Sequence, residues 1–320
     1  MSLSLAEYAE SLAERNLIWP TVPPPTPVKA TASIKPLPGI RAILWDVYGT
    51  LLRTPENAFT HNPKQEIRLQ VALEKTIHEF NMWNSMYRKP GPPWKSMIHQ
   101  YLDYSQQLTM AAPKRSGDFT EINLVIVWGQ IIQRLFDKEY SYETQTMGDL
   151  AAYAEKVAWF FHSNLQAIGP REGCLESISI LAELGIRQNL LGDAQSFSFV
   201  QLTRALIDDG LREPPGRFFP QEDHALSSRL GVKMPSRTLP EYARQQLRTH
   251  GIEPEEVLYV SSRLASCLVP AKNAGFRTAL LAAERSGLEA PSQLIKDPST
   301  KPDRLLTDLR QITSVVPGRP

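Results

Sequence analysis

The sequence has few cysteines, no long apolar run and almost no net charge. Its two cysteines, Cys174 and Cys267, are far apart and lack CxxC spacing, which argues against a disulfide framework or a zinc site. No apolar stretch reaches the ~18 residues that span a bilayer, and the N-terminus lacks the basic and apolar regions of a secretory signal. The net charge of +1 argues against nucleic acid or an anionic membrane as main partner. We therefore expect a reduced, cytoplasmic protein.

The remaining composition is that of a globular protein. Across 320 residues, 42% hydrophobic and 22% charged, there is room for one large domain or two smaller ones. Residues 1–39 form a distinct N-terminal segment, in which helical apolar spacing over 3–17 precedes a proline-rich strap. The strap could dock on the domain or bind a partner. Docking is favoured, because Trp19 and the apolar helical face need cover.

Periodicity divides the rest of the chain into two kinds of segment. Residues 53–171 are predicted to be all-helical, with helices over 63–80, 94–110, 121–137 and 147–166. From residue 172, predicted helices (173–184, 196–208, 238–250, 264–274) alternate with strands (187–191, 224–228, 257–261, 278–282). Residues 303–312 can form a last helix, or 306–309 an edge strand. This alternation predicts a parallel sheet covered by helices on both faces.

One predicted strand lies before the helical segment and ends in a carboxylate. The apolar run from Ile43 to Trp45 stops at Asp46, and Gly49 and Thr50 follow shortly after. This arrangement places the carboxylate at the carboxyl edge of a sheet, where open α/β sheets bind ligands. Asp46 is then either a nucleophile or an incidental acid at a strand end, and the local pattern alone does not decide between them.

The stretch Asp46-Val47-Tyr48-Gly49-Thr50-Leu51 resembles the first motif of the haloacid dehalogenase (HAD) superfamily, Asp-x-Asp/Tyr-Gly-Thr-Leu. The frame from Pro270 to Phe276 resembles the superfamily's fourth motif. The resemblance covers roughly residues 40–312. It implies a doubly wound, Rossmann-like parallel α/β core (40–52 plus 172–315) with an inserted all-helical cap (53–171) that covers the site. It also implies that Asp46 is a covalent nucleophile, with Thr50 beside it in the catalytic motif.

The motifs that follow depart from the superfamily pattern. Tyr48 stands where phosphatases carry a general acid, and a phenol with a pKa of ~10 serves that role poorly. Gly192 replaces the hydroxyl residue that binds the substrate anion; Asp193 would repel an anion, so a helix-capping role is favoured for it. Lys233 falls one residue before the expected lysine position in Met234-Pro235. It can anchor Asp46 only if the chain bulges there, and is otherwise a solvated lysine.

The fourth motif has lost its acids. Arg263 and Cys267 stand where two aspartates would be expected, after Ser261 and Ser262 on the substrate side. Magnesium requires oxygen ligands that usually include carboxylates. The resemblance therefore predicts no metal or cofactor, unless acids outside the motif positions supply ligands. At that position Arg263 could neutralise Asp46 by a charge-assisted pair, and a core position is favoured for Cys267 over a nucleophilic role.

The remaining candidates are weaker. In the cap, Arg88 and Arg134 could bind a small anion or halide, as a cap arginine does in the dehalogenases, although arginines are more commonly surface residues. The histidines show no metal spacing; they include His99, His162, His224 and His250.

Two functional hypotheses follow. In the first, the chain is catalytically degenerate and acts by binding, because the acid, the anion clamp, the charge anchor and the metal ligands are lost together. In the second, it is a metal-independent hydrolase, dehalogenase-like or a weak phosphatase, which uses Asp46 with Lys233 and Arg263 as electrostatic anchors. The first is favoured. A small anionic molecule is the expected ligand, and the oligomeric state is left open.

Overall fold

The computed structural model describes residues 2–56, 58–85, 91–112 and 115–317. Its strands are β1 (Ala42–Trp45), β2 (Leu52–Arg53), β3 (Phe119–Thr120), β4 (Gly169–Pro170), β5 (Arg187–Gly192), β6 (Ala225–Leu226), β7 (Val232–Lys233), β8 (Val257–Ser261), β9 (Arg277–Leu281) and β10 (Arg304–Leu306). Its α-helices are α1 (Leu5–Ser11), α2 (Glu66–Glu79), α3 (Pro93–Ala111), α4 (Leu124–Phe136), α5 (Thr144–Met147), α6 (Leu150–Leu165), α7 (Cys174–Glu183), α8 (Ser198–Asp208), α9 (Ser227–Leu230), α10 (Thr238–Thr249), α11 (Val269–Asn273), α12 (Ser292–Lys296) and α13 (Ile312–Val315).

A six-stranded parallel sheet forms the core, in the order β10-β9-β8-β1-β5-β6. Side chains alternate across β1, because successive residues of a strand point to opposite faces. Ile43 and Trp45 pack into one hydrophobic cluster with α7, α8 and α13, whereas Ala42 and Leu44 pack into another with α10 and α11. Helices thus cover both faces, and the predicted doubly wound α/β fold is confirmed.

A helical cap is inserted after β2 and has its own hydrophobic cluster. Its centre is Phe161 on α6, whose ring lies 5.1 Å from Trp128 and 5.0 Å from Tyr101. The prediction of an all-helical cap is wrong in one respect: β3 lies within the cap and pairs antiparallel with β7 of the core. This pairing joins the cap to the core through segments other than the two connecting chains.

The N-terminal segment docks on the body of the protein. Ser4 caps α1, which ends much earlier than the predicted helix over 3–17, because a 3-10 turn follows and Asn16 adopts a left-handed conformation (φ 50°). Trp19 packs edge-on against Trp159 and Phe160 of the cap, as the docking interpretation expects.

Two further predictions are corrected. The helix expected over 264–274 is a π-helical turn (Leu264–Leu268) followed by α11. Of the two options for residues 303–312, the edge strand forms, over Arg304–Leu306 instead of 306–309; a 3-10 turn and α13 follow it in place of one continuous helix. Within the described ranges, no helix combines the length and the apolar character needed to cross a bilayer.

Replacing Phe161 by alanine should destabilise the cap strongly. Its side chain is fully buried, and truncating a buried phenylalanine costs about 3–5 kcal/mol. The matched control is Ile126→Ala on α4, which removes a side chain that is 48% exposed and should change stability by less than about 0.5 kcal/mol. Urea unfolding followed by circular dichroism measures both, and equal losses in the two variants would contradict the assignment of the cap core.

Candidate active site

The carboxyl ends of three neighbouring strands bring the candidate residues together. Asp46 follows β1, Asp193 follows β5 and Arg263 follows shortly after β8. The backbone N–H of Asp46 donates to Val260 O (3.0 Å), which continues the β1–β8 pairing up to the carboxylate. The position of Asp46 at the sheet edge is therefore fixed by the strand itself.

Arg263 forms ion pairs with both Asp46 and Asp193. Its Nε and one terminal nitrogen each lie 3.2 Å from Asp46 Oδ2, and its other terminal nitrogen donates to Asp193 Oδ2 at 2.8 Å. Ser261 Oγ donates to the same Asp46 oxygen at 2.7 Å and accepts from the backbone N–H of Arg263. The planar guanidinium suits such multiple contacts, which a lysine could not reproduce.

The ion pair lies almost entirely away from solvent. Asp46 is 0% exposed, while Arg263 and Asp193 retain 8% and 9%. Burial raises the pKa of the Asp46 carboxyl, whereas the Arg263 guanidinium and the Ser261 hydroxyl oppose that rise. Burial alone would lower the pKa of Arg263, but Asp46 holds it well above its usual range. The guanidinium therefore remains charged beside Asp46.

Gly192 makes room for the Asp46 carboxylate. A Cβ at position 192 would lie 2.6 Å from Asp46 Oδ1, and the residue has φ +151°. Both features require glycine. At this position the chain therefore has no hydroxyl to offer an anion, and the peptide backbone packs directly against the acid.

Asp193 does not cap the following helix. That expectation is wrong, because α8 begins only at Ser198 and no side chain caps it. Instead Asp193 Oδ1 accepts from the Met234 N–H at 2.7 Å, while Oδ2 binds Arg263. Asp193 thus ties the Met234 loop to the ion pair.

Tyr48 belongs to a separate buried network. Its hydroxyl donates to Gln201 Oε1 (2.6 Å) and lies 2.7 Å from Ser198 Oγ, and Gln201 in turn contacts His162 Nδ1 at 3.2 Å. Burial raises the pKa of the Tyr48 hydroxyl well above its usual range. The phenol is held by helix α8 and not by the Asp46 carboxylate.

Lys233 and an unforeseen acid, Glu121, lie at the junction of cap and core. Lys233 is half-buried, and among the described residues no ion pair within 4 Å links it to Asp46. Glu121 is 6% exposed and accepts from Ser227 Oγ at 2.8 Å. Burial and the nearby Asp193 raise the pKa of Glu121 to about 7, while Ser227 and Lys233 oppose that rise. One sequence signal could have pointed to Glu121. Asn123 is a typical helix-capping residue, and because it caps α4, residue 121 lies outside the helix.

The hydroxyls of Thr50 and Ser262 are buried, and no hydrogen-bond partner is found for either within the described residues. Cys267 Sγ lies 3.7 Å from Asp46 Oδ2, and burial raises the pKa of its thiol. Cys267 is thus both a core residue and a contact of the acid, although not as the ionised nucleophile.

The other candidates lie away from Asp46. Arg88 lies outside the described residues, and Arg134 is exposed on the last turn of α4. Of the histidines, His250 pairs with Asp223 at 3.0 Å, and His162 is buried in the Tyr48 network. Neither the arginine nor these histidines supplies a group to the sheet edge.

A magnesium ion does not fit the residues at this edge. Within the described part of the chain, no group of three or more histidine, cysteine, aspartate or glutamate side chains could hold a metal ion. Glu121 is an acid outside the motif positions, but it binds Ser227 and the Ile122 N–H. The guanidinium of Arg263 binds both Asp46 and Asp193, so a divalent cation there would meet a positive charge instead of free oxygen ligands.

No protein-family model matches the chain, and no curated protein matches it. Among solved structures, a 2-haloacid dehalogenase from Pseudomonas syringae pv. Tomato DC3000 is similar, with a TM-score of 0.50, 16% identity, and coverage of 85% of this chain and 96% of that one. A HAD phosphatase from Thermococcus onnurineus has a TM-score of 0.46, 14% identity and coverage of 88% and 99%. The first likeness shows that the two chains share a fold and shows nothing beyond the fold; the second, below 0.5, adds no argument to it.

Gly192→Ala should destabilise the protein by about 2–3 kcal/mol, because the new methyl group collides with Asp46 Oδ1 and the backbone is strained. Gly216→Ala is the control, since its Cβ would meet nothing within 4 Å. Chemical denaturation measures both variants. A Gly192→Ala protein as stable as the control would contradict the close packing of the backbone on Asp46.

Glu121→Gln should flatten the pH dependence of stability. Because its folded pKa is raised to about 7, the stability contributed by this group is full below its unfolded pKa of ~4.3 and is lost as pH rises to about 7. Wild type should therefore lose up to about 3 kcal/mol over that range relative to Glu121→Gln. Denaturation at pH 4.5 and 8 measures the difference, with Glu255→Gln at an exposed position as control. Parallel profiles for wild type and Glu121→Gln would contradict the burial of an ionisable acid here.

Proposed function

We propose that this chain is a catalytically degenerate protein of the HAD-like hydrolase fold, without a magnesium site, which acts by binding and not by turnover. One observation carries the proposal: Asp46, the residue at the nucleophile position, is fully buried and ion-paired with Arg263. The ligand class we assign is a small anionic molecule, for which the cleft between cap and core of this fold is the expected place.

The first argument concerns access to the nucleophile. A nucleophile must come within ~3–3.5 Å of the atom that it attacks. Asp46 Oδ2 already contacts Ser261 and Arg263 at 2.7 and 3.2 Å. Breaking a buried ion pair costs about 3–5 kcal/mol, which corresponds to a rate roughly 10²–10⁴ lower. An attack through Oδ2 would have to overcome this cost before the reaction begins.

The second argument concerns the leaving group. An alkoxide leaving from phosphorus needs a proton donor close to the nucleophile. Tyr48, at the position of that donor, is hydrogen-bonded to Gln201 and lies among Phe59 and His162. Its raised pKa makes it a weaker acid still. Both the hydrogen bond to Gln201 and the raised pKa make Tyr48 a poor proton donor, so hydrolysis of phosphate esters is disfavoured.

The alternative is a metal-independent hydrolase that uses Asp46 as covalent nucleophile. Arg263 favours it, because a guanidinium beside the carboxylate neutralises charge where a metal would otherwise do so. Arg263 and Asp193 also keep a small exposed fraction, so the site is not completely closed. In this alternative Arg263, and not Lys233, is the electrostatic anchor of Asp46. Halide displacement is the chemistry that it would suit, since halide leaves without a proton.

An activity screen separates the two. The purified chain, Asp46→Asn and Asp103→Asn, which changes an exposed cap carboxylate, are assayed with p-nitrophenyl phosphate and 2-chloropropionate, with and without Mg²⁺. We expect equal, background-level product release from all three proteins and no response to Mg²⁺. Turnover at least tenfold above Asp46→Asn, retained in Asp103→Asn, would contradict degeneracy and support the alternative.

A further inference from the structure

We propose that the N-terminal segment is an intramolecular clamp that holds the cap closed on the core. The segment contacts both parts of the protein, and an extended strap connects its contacts on the cap to those on edge strand β10. The clamp does not depend on whether Asp46 is catalytic.

On the cap side, the segment is held by aromatic packing and by an ion pair. The rings of Tyr8 and Trp19 lie 6.1 and 5.8 Å from the ring of Trp159, both edge-on. The Arg15 guanidinium donates to both carboxylate oxygens of Glu79 on α2, at 2.6 and 2.8 Å. Tyr8 is 3% exposed, so this part of the segment completes the hydrophobic cluster of the cap.

On the core side, the segment is held through its backbone. Ser33 forms an antiparallel bridge with Leu305, with the Ser33 N–H 2.8 Å from Leu305 O, and so extends the sheet beyond β10. The Leu37 N–H donates to Val315 O at 2.7 Å. These bonds cover part of an edge strand, which would otherwise present unpaired backbone groups.

Between these two regions the strap is attached again, close to the cap contact. Arg53, at the root of the cap, donates to Pro23 O at 2.8 Å, and the Arg285 N–H of the core donates to Thr26 O at 2.7 Å. Thr26 is the seventh residue after Trp19, and seven residues span at most ~25 Å. A cap that swung further than this from the core would have to pull Trp19 off the cap or Thr26 off the core.

The clamp works together with a second attachment on another part of the cap. There the Glu121 N–H donates to Gly231 O at 3.0 Å and the Phe119 N–H donates to Ser236 Oγ at 2.7 Å. Because β3 belongs to the cap and β7 to the core, these bonds must break whenever the cap opens. Their opening rate is a readout of cap motion at residues that the N-terminal segment does not touch.

The test releases the clamp on the cap side in the full-length chain and measures that opening rate. In the double variant Arg15→Ala, Trp19→Ala, hydrogen exchange of the Phe119 and Glu121 amides should be at least tenfold faster than in wild type. Ile18→Ala is the matched control: it removes a neighbouring side chain that is 84% exposed, and exchange should stay within twofold of wild type. Unchanged exchange at both amides in the double variant, with faster exchange confined to the segment itself, would overturn the clamp.

A second experiment avoids any effect of the substitutions on folding. A specific protease site is inserted between the exposed Thr21 and the partly buried Val22, and the protein is cut after it has folded. Spin labels at Gln107→Cys on the cap and Gln245→Cys on the core report the distance between the two parts, since Cys174 and Cys267 are buried. The clamp predicts a narrow distance distribution that broadens after cutting. A distribution identical before and after the cut would overturn it.

Discussion

The candidate site depends on the buried contact between Asp46 and Arg263. A carboxylate that strand β1 carries to a fully buried position needs a compensating partner, because an unpaired buried charge is far too costly. Arg263 supplies the opposite charge and Ser261 supplies a further hydrogen bond. Gly192 has no side chain, which leaves room for the carboxylate. Asp46, Arg263, Ser261 and Gly192 thus form one mutually dependent arrangement.

Arg263 does more than neutralise Asp46. It also binds Asp193, which holds the loop at Met234, and the cap meets the core beside that loop through β3 and β7. Glu121 lies at the same junction with an elevated pKa. The charge arrangement at the sheet edge and the attachment of the cap are therefore neighbouring parts of one structure. A guanidinium can neutralise charge there, but it cannot polarise a substrate oxygen as a metal ion does.

Much of this could be predicted from sequence, since alternating helices and strands specify a parallel sheet and Asp46 ends an apolar run. A pairing of Arg263 with Asp46 was one option that the resemblance to the fourth motif left open, and the structure shows the contact. The partners of Asp193 and Tyr48 could not be predicted, because each lies on a segment remote in sequence: Met234 for the first and Gln201 for the second. Of the two options for residues 303–312, the edge strand forms in place of a continuous helix for a related reason. Pairing with β9 overrides the local preference there, as tertiary contacts often do.

The central claim is that Asp46 and Arg263 act as one structural unit, and a double-mutant cycle tests it most directly. Unfolding free energies are measured for Asp46→Asn, Arg263→Gln and the double variant. The account predicts a cost of about 3–5 kcal/mol for Arg263→Gln, because that change leaves the buried Asp46 without its counter-charge. Asp46→Asn should cost less, because Arg263 keeps its ion pair with Asp193. It also predicts a coupling of at least about 2 kcal/mol, so that the double variant loses clearly less than the sum. Losses that add to within about 0.5 kcal/mol would contradict it.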